Sequence, residues 1–455
     1  MRKYEKYKDI GLPWYPHGIP SHWNIMRHKN VLAEHKELVG KNEKQYTLLS
    51  LTLKGVIIRD LSEGKGKFAK DYDKYVVVDP GDFIFCLFDV DETPRTVGLS
   101  KHHGMITGAY DVFKPHDINS EYFYYYYLSL DNAKALKPLY SGLRKVIPFP
   151  SFMAIKFPVP PRREQDQIVC YLDWQVSKIN HLIHGYQKQI KLLKERRQTI
   201  IDRAATQGIN PNVQYKDSGA NWIPQIPEHW NMVYSKKLFA QRKDKAFPND
   251  IQLTASQKYG IISQDEFMKR EGRRLTVVVT GSDILKHVGI GDFVISMRSF
   301  QGGLEYSYVE GKISSAYVML IPNKEKVYDE YFKWLLKSKS YIKALQGTSD
   351  LVRDGQALRY ANFAKVYLPE IPLEEQKAIA DYINSEVARI DNALPTFQKK
   401  IELLREYRTR LISDVVTGQI DVRDVVIPEY TPEDDTEIDV ADTPDDTEEV
   451  AEDAE

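Results

Sequence analysis

Cysteine is nearly absent. Cys86 and Cys170 are the two in 455 residues, too few for a disulfide framework or a Cys-based zinc cluster and consistent with a reducing cytoplasm. No stretch approaches the ~18 to 20 apolar residues of a membrane span. The opening Met1-Arg2-Lys3-Tyr4-Glu5-Lys6-Tyr7 lacks an apolar core, so no signal peptide is expected. Catalytic signatures are missing too. Gly64-Lys65-Gly66-Lys67 lacks the hydroxyl residue of a phosphate loop. There is no Gly-rich cofactor loop with a paired acid, and no Asn/Asp-Pro-Pro-aromatic tetrapeptide of an amino-methyltransferase. Asp60-x-x-Glu63-x-Lys65 imitates a metal-dependent nuclease triplet but reads as a charged hairpin loop in a chain that is 28% charged. His102-His103 are adjacent, and neighbours on a strand point to opposite faces, so a surface turn is expected rather than a metal pair. Cys86, amid Phe83-Ile84-Phe85 and Leu87-Phe88, reads as core. No catalytic residue, metal ligand or cofactor is therefore expected in this chain.

What is present is a charge asymmetry and a repeat. With 42% hydrophobic residues the chain is globular in composition, and its length suits two or three domains. The net charge of −1 averages unlike regions: Thr431–Glu455 holds 13 acidic residues and no Lys or Arg. Residues 1–430 carry 63 basic against 51 acidic residues, an excess of 12. A basic body with an acidic tail points to a polyanionic partner and a disordered appendage.

The repeat has a period of about 208 residues, long enough to mean duplicated domains and not a solenoid. Tyr7-Lys8-Asp9-Ile10-Gly11 recurs as Tyr215-Lys216-Asp217-Ser218-Gly219, and Ile19-Pro20-Ser21-His22-Trp23-Asn24 as Ile226-Pro227-Glu228-His229-Trp230-Asn231. Gly81-Asp82-Phe83-Ile84 matches Gly291-Asp292-Phe293-Val294, and Glu121-Tyr122-Phe123 matches Glu330-Tyr331-Phe332. Pro161–Ile209 aligns without gaps on Pro372–Ile420. His22 and His229 could titrate or bind phosphate; packing of a fixed loop beneath the adjacent tryptophan is the preferred reading.

Each half divides in two. The globular parts carry short β-branched runs before turns, Tyr75-Val76-Val77-Val78 before Asp79-Pro80-Gly81-Asp82 and Thr276-Val277-Val278-Val279 before Thr280-Gly281. Short helices are expected at Glu121–Leu130 and Glu330–Ser338. The fold expected is α+β, with mainly antiparallel twisted sheets. The remaining parts are helical: Val176, Ile179, Ile183, Tyr186, Ile190, Leu193, Arg197 and Ile200 are spaced 3, 4, 3, 4, 3, 4, 3. Val387, Ile390, Leu394, Phe397, Ile401, Leu404, Arg408 and Leu411 repeat that spacing, which is a coiled-coil seam. An amphipathic helix on a globular core is the alternative. Arg197 and Arg408 fall in the seam, where a polar residue sets register. Pro395 should kink or split the second helix.

Short connections favour antiparallel pairing of the two helices, returning the chain end near Tyr7 with an approximate two-fold between the halves. From Val176 to Ile200 is about 36 Å at ~1.5 Å per residue, against the ~34 Å recurrence of the major groove on one side of B-DNA. The expected divisions are 1–160, globular domain one; 161–212, a central helix region; 213–371, globular domain two; 372–424, a distal helix region; and 425–455, an acidic disordered tail.

Ile-Pro-x-His-Trp at 19–23 and 226–230, Pro-Gly-Asp-Phe at 80–83 with Gly-Asp-Phe at 291–293, and the helix entries Pro161-Arg162-Arg163-Glu164-Gln165 and Pro372-Leu373-Glu374-Glu375-Gln376 together resemble the specificity subunit of type I restriction–modification enzymes. The resemblance spans roughly residues 7 to 424. It implies a non-catalytic subunit with two target-recognition domains, each reading half of a split, asymmetric site on double-stranded DNA. It also implies partners: two modification subunits that methylate adenine with S-adenosylmethionine, and restriction motor-nuclease subunits that use ATP and magnesium. The rival reading is a coiled-coil scaffold of a protein complex that does not read DNA.

Candidate DNA contacts follow from comparing the copies. Leu53-Lys54-Gly55-Val56-Ile57-Ile58-Arg59-Asp60 aligns with Lys258-Tyr259-Gly260-Ile261-Ile262-Ser263-Gln264-Asp265. Arg59 thus faces Gln264; Arg suits the acceptor pair of guanine and Gln the donor–acceptor pair of adenine. Lys65, Lys67 and Lys70 follow the first, and Lys269, Arg270, Arg273 and Arg274 the second, with a solvated basic loop as the alternative. Arg298 and Gln301, beside Gly302-Gly303, could approach DNA on a close backbone, and Arg144 and Arg353 could clamp phosphate.

Overall fold

The computed structural model describes residues 2–12, 15–59, 72–140, 145–272, 284–296, 299–348 and 359–433, without the side chains of 300 and 301. The chain forms two compact units that do not follow sequence order: Met1–Lys188 with Phe397–Glu455, and Gln189–Thr396. Each unit contains one globular domain and one half of each long helix.

Both domains are α+β and repeat one topology. In the first, a four-stranded antiparallel sheet runs Leu32–Glu34, Asp111–Pro115, Phe83–Phe85, Val97–Leu99. In the second, the same order is built from Phe239–Gln241, Val318–Pro322, Phe293–Ile295 and Glu305–Tyr306. Two-stranded antiparallel pairs surround each sheet, also in matching sets. The expected strand at 75–78 is Val76–Val78, while that at 276–279 lies outside the described residues. The expected short helices are Ser120–Asn132 and Asp329–Leu335.

The Gly-Asp-aromatic repeat is a turn. Gly81 and Gly291 have φ of 94° and 89°, a region open to glycine without steric cost. Asp82 and Asp292, both buried, accept from the backbone N–H of Asp79 and Gly289, each at 2.8 Å. The side chain that partners this aspartate differs between copies. Arg242 donates to Asp292 at 2.6 and 3.0 Å, whereas His35 Nδ1 lies 2.7 Å from Asp82.

The long helices are Arg162–Gln207 and Leu373–Val416. Their antiparallel pairing is visible inside each unit. In the first, Tyr186 and Phe397 have ring centroids 5.7 Å apart, and Arg408 Nη1 donates to Asn180 Oδ1 at 2.7 Å. In the second, Arg197 Nε donates to Asp391 Oδ1 at 2.9 Å. Arg197 matches Arg408 in the repeat, and Asp391 matches Asn180, so both seam arginines bond the same position of the other helix. Ile179, Ile183, Ile390 and Ile401 are buried, while Tyr186, Ile190, Leu193, Leu394, Phe397 and Leu404 are half-buried. Two helices alone cannot enclose their seam.

Two expectations need correction. The second helix is not split at Pro395 but continues through it. The proline ring removes the N–H that would bond the Asp391 carbonyl; both residues are exposed, so water can take that place. The start of the acidic tail is also ordered. Residues 425–433 lie against the first long helix through Gln167, Ser177 and His181; residues 434–455 lie outside the described set.

His28 marks a difference in acid sensitivity between the domains. It is fully buried among Phe123, Phe152 and Phe157, with Tyr127 Oη 2.6 Å from its Nε2. Burial pushes its pKa down to about 3 from 6.5, against a backbone hydrogen bond at Phe152. Ser235 occupies the position in domain two. The unfolded chain takes up a proton near 6.5 that the folded domain refuses, so this stability is full above that pH and is lost as pH falls towards 3. Between pH 6.5 and 4.5 domain one should lose about 2 kcal/mol from this source. Thermal melts of the parent and His28→Gln at both pH values should show the loss reduced in the variant.

The start and the end of the repeat meet within the first unit. Asp421 N donates to Arg2 O at 2.9 Å, Tyr7 Oη to Gly418 O at 3.0 Å, and Gln419 Nε2 to Gly18 O at 3.2 Å. A permutant opened at Asn210 and closed by a short linker from Asp424 to Arg2 should fold with a melting temperature within a few degrees of the parent. An insoluble or molten product would count against this path of the chain.

Candidate functional site

The repeated motifs meet at one carboxylate per unit. Glu164, in the first turn of the first long helix, accepts from Trp23 Nε1 at 2.9 Å and Tyr4 Oη at 2.5 Å, with His22 Nε2 2.8 Å from its other oxygen. In the second unit Glu375 takes Trp230 Nε1 at 3.0 Å and lies 2.8 Å from His229 Nε2. The neighbouring glutamines extend the joint. Gln165 bonds Pro160 O and Asn119 N, and Gln376 bonds Ile371 O and Tyr328 N. His-Trp and Glu-Gln thus fasten each helix entry to its domain. The histidines were expected to serve the tryptophan loop; their glutamate partner, more than 140 positions away in sequence, was not foreseen.

A glycine from the other helix closes each joint. Gly418, φ +74°, lies against Trp23 and Pro20, and Gly208, φ +77°, against Trp230. A Cβ on Gly418 would come within 2.4 Å of the Pro20 ring. The joint is scaffold, and it leaves the outward surfaces of both domains free to differ.

Among those surfaces, the aligned hairpins coincide. Leu49–Thr52 pairs with Gly55–Ile58, and Leu253–Ser256 with Gly260–Ser263, whose loop is one residue longer. Arg59 N donates to Leu48 O and Gln264 N to Gln252 O, at 2.9 and 3.0 Å. The two candidate readers therefore hold equivalent positions, one residue past the second strand, and both are half-exposed. Gln264 opens the helix Gln264–Glu271, whose Ser263 cap accepts from Glu266 N. Arg270, on its last turn, pairs with Glu266 and sits 5.0 Å from the Tyr259 ring centroid, so its charge is engaged within the chain. Lys65, Lys67, Lys70, Arg144, Arg273, Arg274, Arg298 and Arg353 lie outside the described residues, as does the side chain of Gln301.

The structure adds a pair that the sequence comparison missed. Arg27 and Lys156 are directly opposite on the antiparallel strands Asn24–Arg27 and Lys156–Val159, and both are exposed. Like charges so placed are destabilising, and an anion would relieve them. The equivalent pair in domain two is Tyr234 and Tyr367, whose ring centroids lie 4.2 Å apart. Only the register, spanning some 130 residues, brings these together, so no local sequence signal reveals them.

Among the described residues one group has metal-ligating composition: His35, Asp79 and Asp82. Lys114 and His103 already hold Asp79, at 3.0 and 2.9 Å, and Arg242 replaces His35 in domain two. Its role is to satisfy the buried turn aspartate. Cys86 is buried as expected, and burial raises its thiol pKa. Among the described residues no helix is long and apolar enough to cross a membrane.

Removing a joint carboxylate orphans its donors, each costing about 1–3 kcal/mol when buried. Glu164→Ala should destabilise the first unit by about 3 kcal/mol. Glu375→Ala, at a more exposed carboxylate with two partners, should cost about half as much. Denaturant titration combined with limited proteolysis would show which unit opens.

Residues 106–192 match the family model of the type I restriction modification DNA specificity domain. The MjaVIII type I restriction enzyme specificity subunit of Methanocaldococcus jannaschii is 25% identical over 448 residues, 93% of this chain and 98% of that one. The MjaX specificity subunit of the same organism is 26% identical over 282 residues, 59% of this chain, so that the match spans 60% of that relative's length. A solved chain from work on complex assembly and conformational transition of a type I R-M system shares the fold, with a TM-score of 0.61 at 13% identity. The match covers 89% of this chain and 100% of that one. With the duplicated topology and both His-Trp/Glu joints, these likenesses make the chain similar, over nearly its whole length, to type I restriction–modification specificity subunits.

Proposed function

We propose that this chain is the sequence-reading subunit of a type I restriction–modification complex. Each domain reads one half of a split site on double-stranded DNA. The observation that carries this reading is the contrast between constant joint and variable surface. The two domains share strand order, turn aspartate and Trp–Glu joint, yet matched outward positions differ: Arg59 against Gln264, and Arg27 with Lys156 against Tyr234 with Tyr367. A scaffold with no ligand to distinguish gives no reason for this contrast. The excess of 12 basic residues over 1–430 suits a polyanion.

Arg59 would donate in bidentate fashion to a guanine edge, and Gln264 would take the donor–acceptor edge of adenine. The cationic strand pair would bind phosphate and set register without reading sequence. The chemistry belongs to partners in this proposal: modification subunits that methylate adenine with S-adenosylmethionine, and restriction subunits that use ATP and magnesium. This chain would select the site and bring them to it.

Methylome sequencing of cells with and without the gene would report the site. On that site, Arg59→Ala should lose about 1–3 kcal/mol of discrimination at one position of one half, and Gln264→Ala the same in the other. Arg27→Ala should weaken all duplexes alike and lower the salt dependence of binding. Affinities for a panel of single-base variants separate these outcomes. Uniform loss with Arg59→Ala or Gln264→Ala would reassign those residues to backbone contacts, and absence of a gene-dependent methylated motif would count against the functional reading.

A further inference from the structure

The end of the repeat does not release the chain. Gln167 Nε2 donates to Val422 O at 3.1 Å and to Val425 O at 2.8 Å. Ser177 Oγ accepts from Glu433 N at 2.8 Å and donates to Thr431 O at 3.4 Å. His181 Nδ1 is 2.7 Å from one Glu433 oxygen, and His184 Nδ1 is 3.9 Å from the other. Residues 422–433 therefore ascend the first long helix from Gln167 to His181, about 21 Å at ~1.5 Å per residue. The remaining segment, 434–455, starts from a fixed point on the first unit.

That segment has 22 residues, 12 of them Asp or Glu and none Lys or Arg. The 13 acids of Thr431–Glu455 nearly cancel the excess of 12 basic residues elsewhere. Because it is attached at Glu433, the segment meets the first unit at an effective concentration set by its own length and not by dilution. Exposed cations lie in the same unit. Lys178 and Lys188 are on the helix that holds the tether, and Arg27 faces Lys156.

We propose that residues 434–455 are a tethered polyanion that occupies the cationic surface of the first unit and competes there with DNA phosphate. The inference rests on the DNA-reading function and adds a regulation to it. Competition of this kind acts most on non-specific duplex, whose binding is almost wholly electrostatic. A target site adds base contacts that the tail cannot imitate. The tail thereby raises selectivity without touching a base.

The test uses the full chain, a form ending at Glu433, and a full-length form with the 12 acids of 434–455 changed to Asn or Gln. Fluorescence anisotropy would follow binding to the target duplex and to a 30-base-pair duplex lacking it, at about 50 and 300 mM salt. At low salt the truncated and neutralised forms should bind the non-specific duplex about tenfold tighter than the full chain. The gap should shrink to about twofold at high salt, as screening removes both interactions. Gln167→Ala with Ser177→Ala, which loosens the tether and keeps the acids, should give an intermediate low-salt affinity. Equal low-salt affinity of all forms, with specific binding intact, overturns the competitor and leaves the DNA reading standing. If no form binds either duplex, both fall.

Discussion

Everything else in the molecule hangs on a hydrogen-bonded carboxylate at a helix entry. Glu164 and Glu375 sit in first turns, where the helix dipole favours negative charge, and each is held by a tryptophan N–H and a histidine. An isolated carboxylate drawn out of water would be costly; these are satisfied by side chains of the repeated His-Trp motif. The bond fixes the angle at which a long helix leaves its domain. The glycines that pack on the same tryptophans come from the opposite helix. One residue type at one position thus ties together the start of a domain, the start of its own helix and the end of the other.

Such a joint frees the rest of the surface. Hairpins, the outer strand pair and the residues beside the turn aspartate can vary while topology stays fixed, because little of the joint depends on them. The pair His35 and Arg242 illustrates the tolerance. Two side chains of different chemistry partner the same buried aspartate, and the strand order around them is unchanged. A fold organised in this way can acquire a new recognition surface in one domain without renegotiating the other.

Much of the architecture was legible in the sequence because it repeats. Period-3/4 spacing placed both helices and their seam, and the seam arginines were visible as polar breaks in an apolar row. Their partners were less so. Asn180 and Asp391 look like ordinary exposed positions until the helices are paired. The Glu–Trp bonds and the opposition of Arg27 to Lys156 escaped for the same reason: they join segments 129 to 145 residues apart, and no local period records a long-range register. Of the kink or split expected at Pro395, the split does not occur. Helix propensity weighs the missing hydrogen bond, but not the exposure of Asp391, the residue that loses it.

The division of the chain into units also carries a consequence for biosynthesis. The second unit is continuous, Gln189–Thr396, whereas the first needs residues from both ends of the sequence. Its tryptophan, Trp23, waits for Gly418, and Arg2 waits for Asp421. A ribosome delivers residues in order, so the domain begun first is the one completed last. For nearly the whole of translation the nascent chain carries an unfinished first domain, its joint open on one side, and the second unit, whose last residue is Thr396, has all its residues before Gly418 arrives to close that joint.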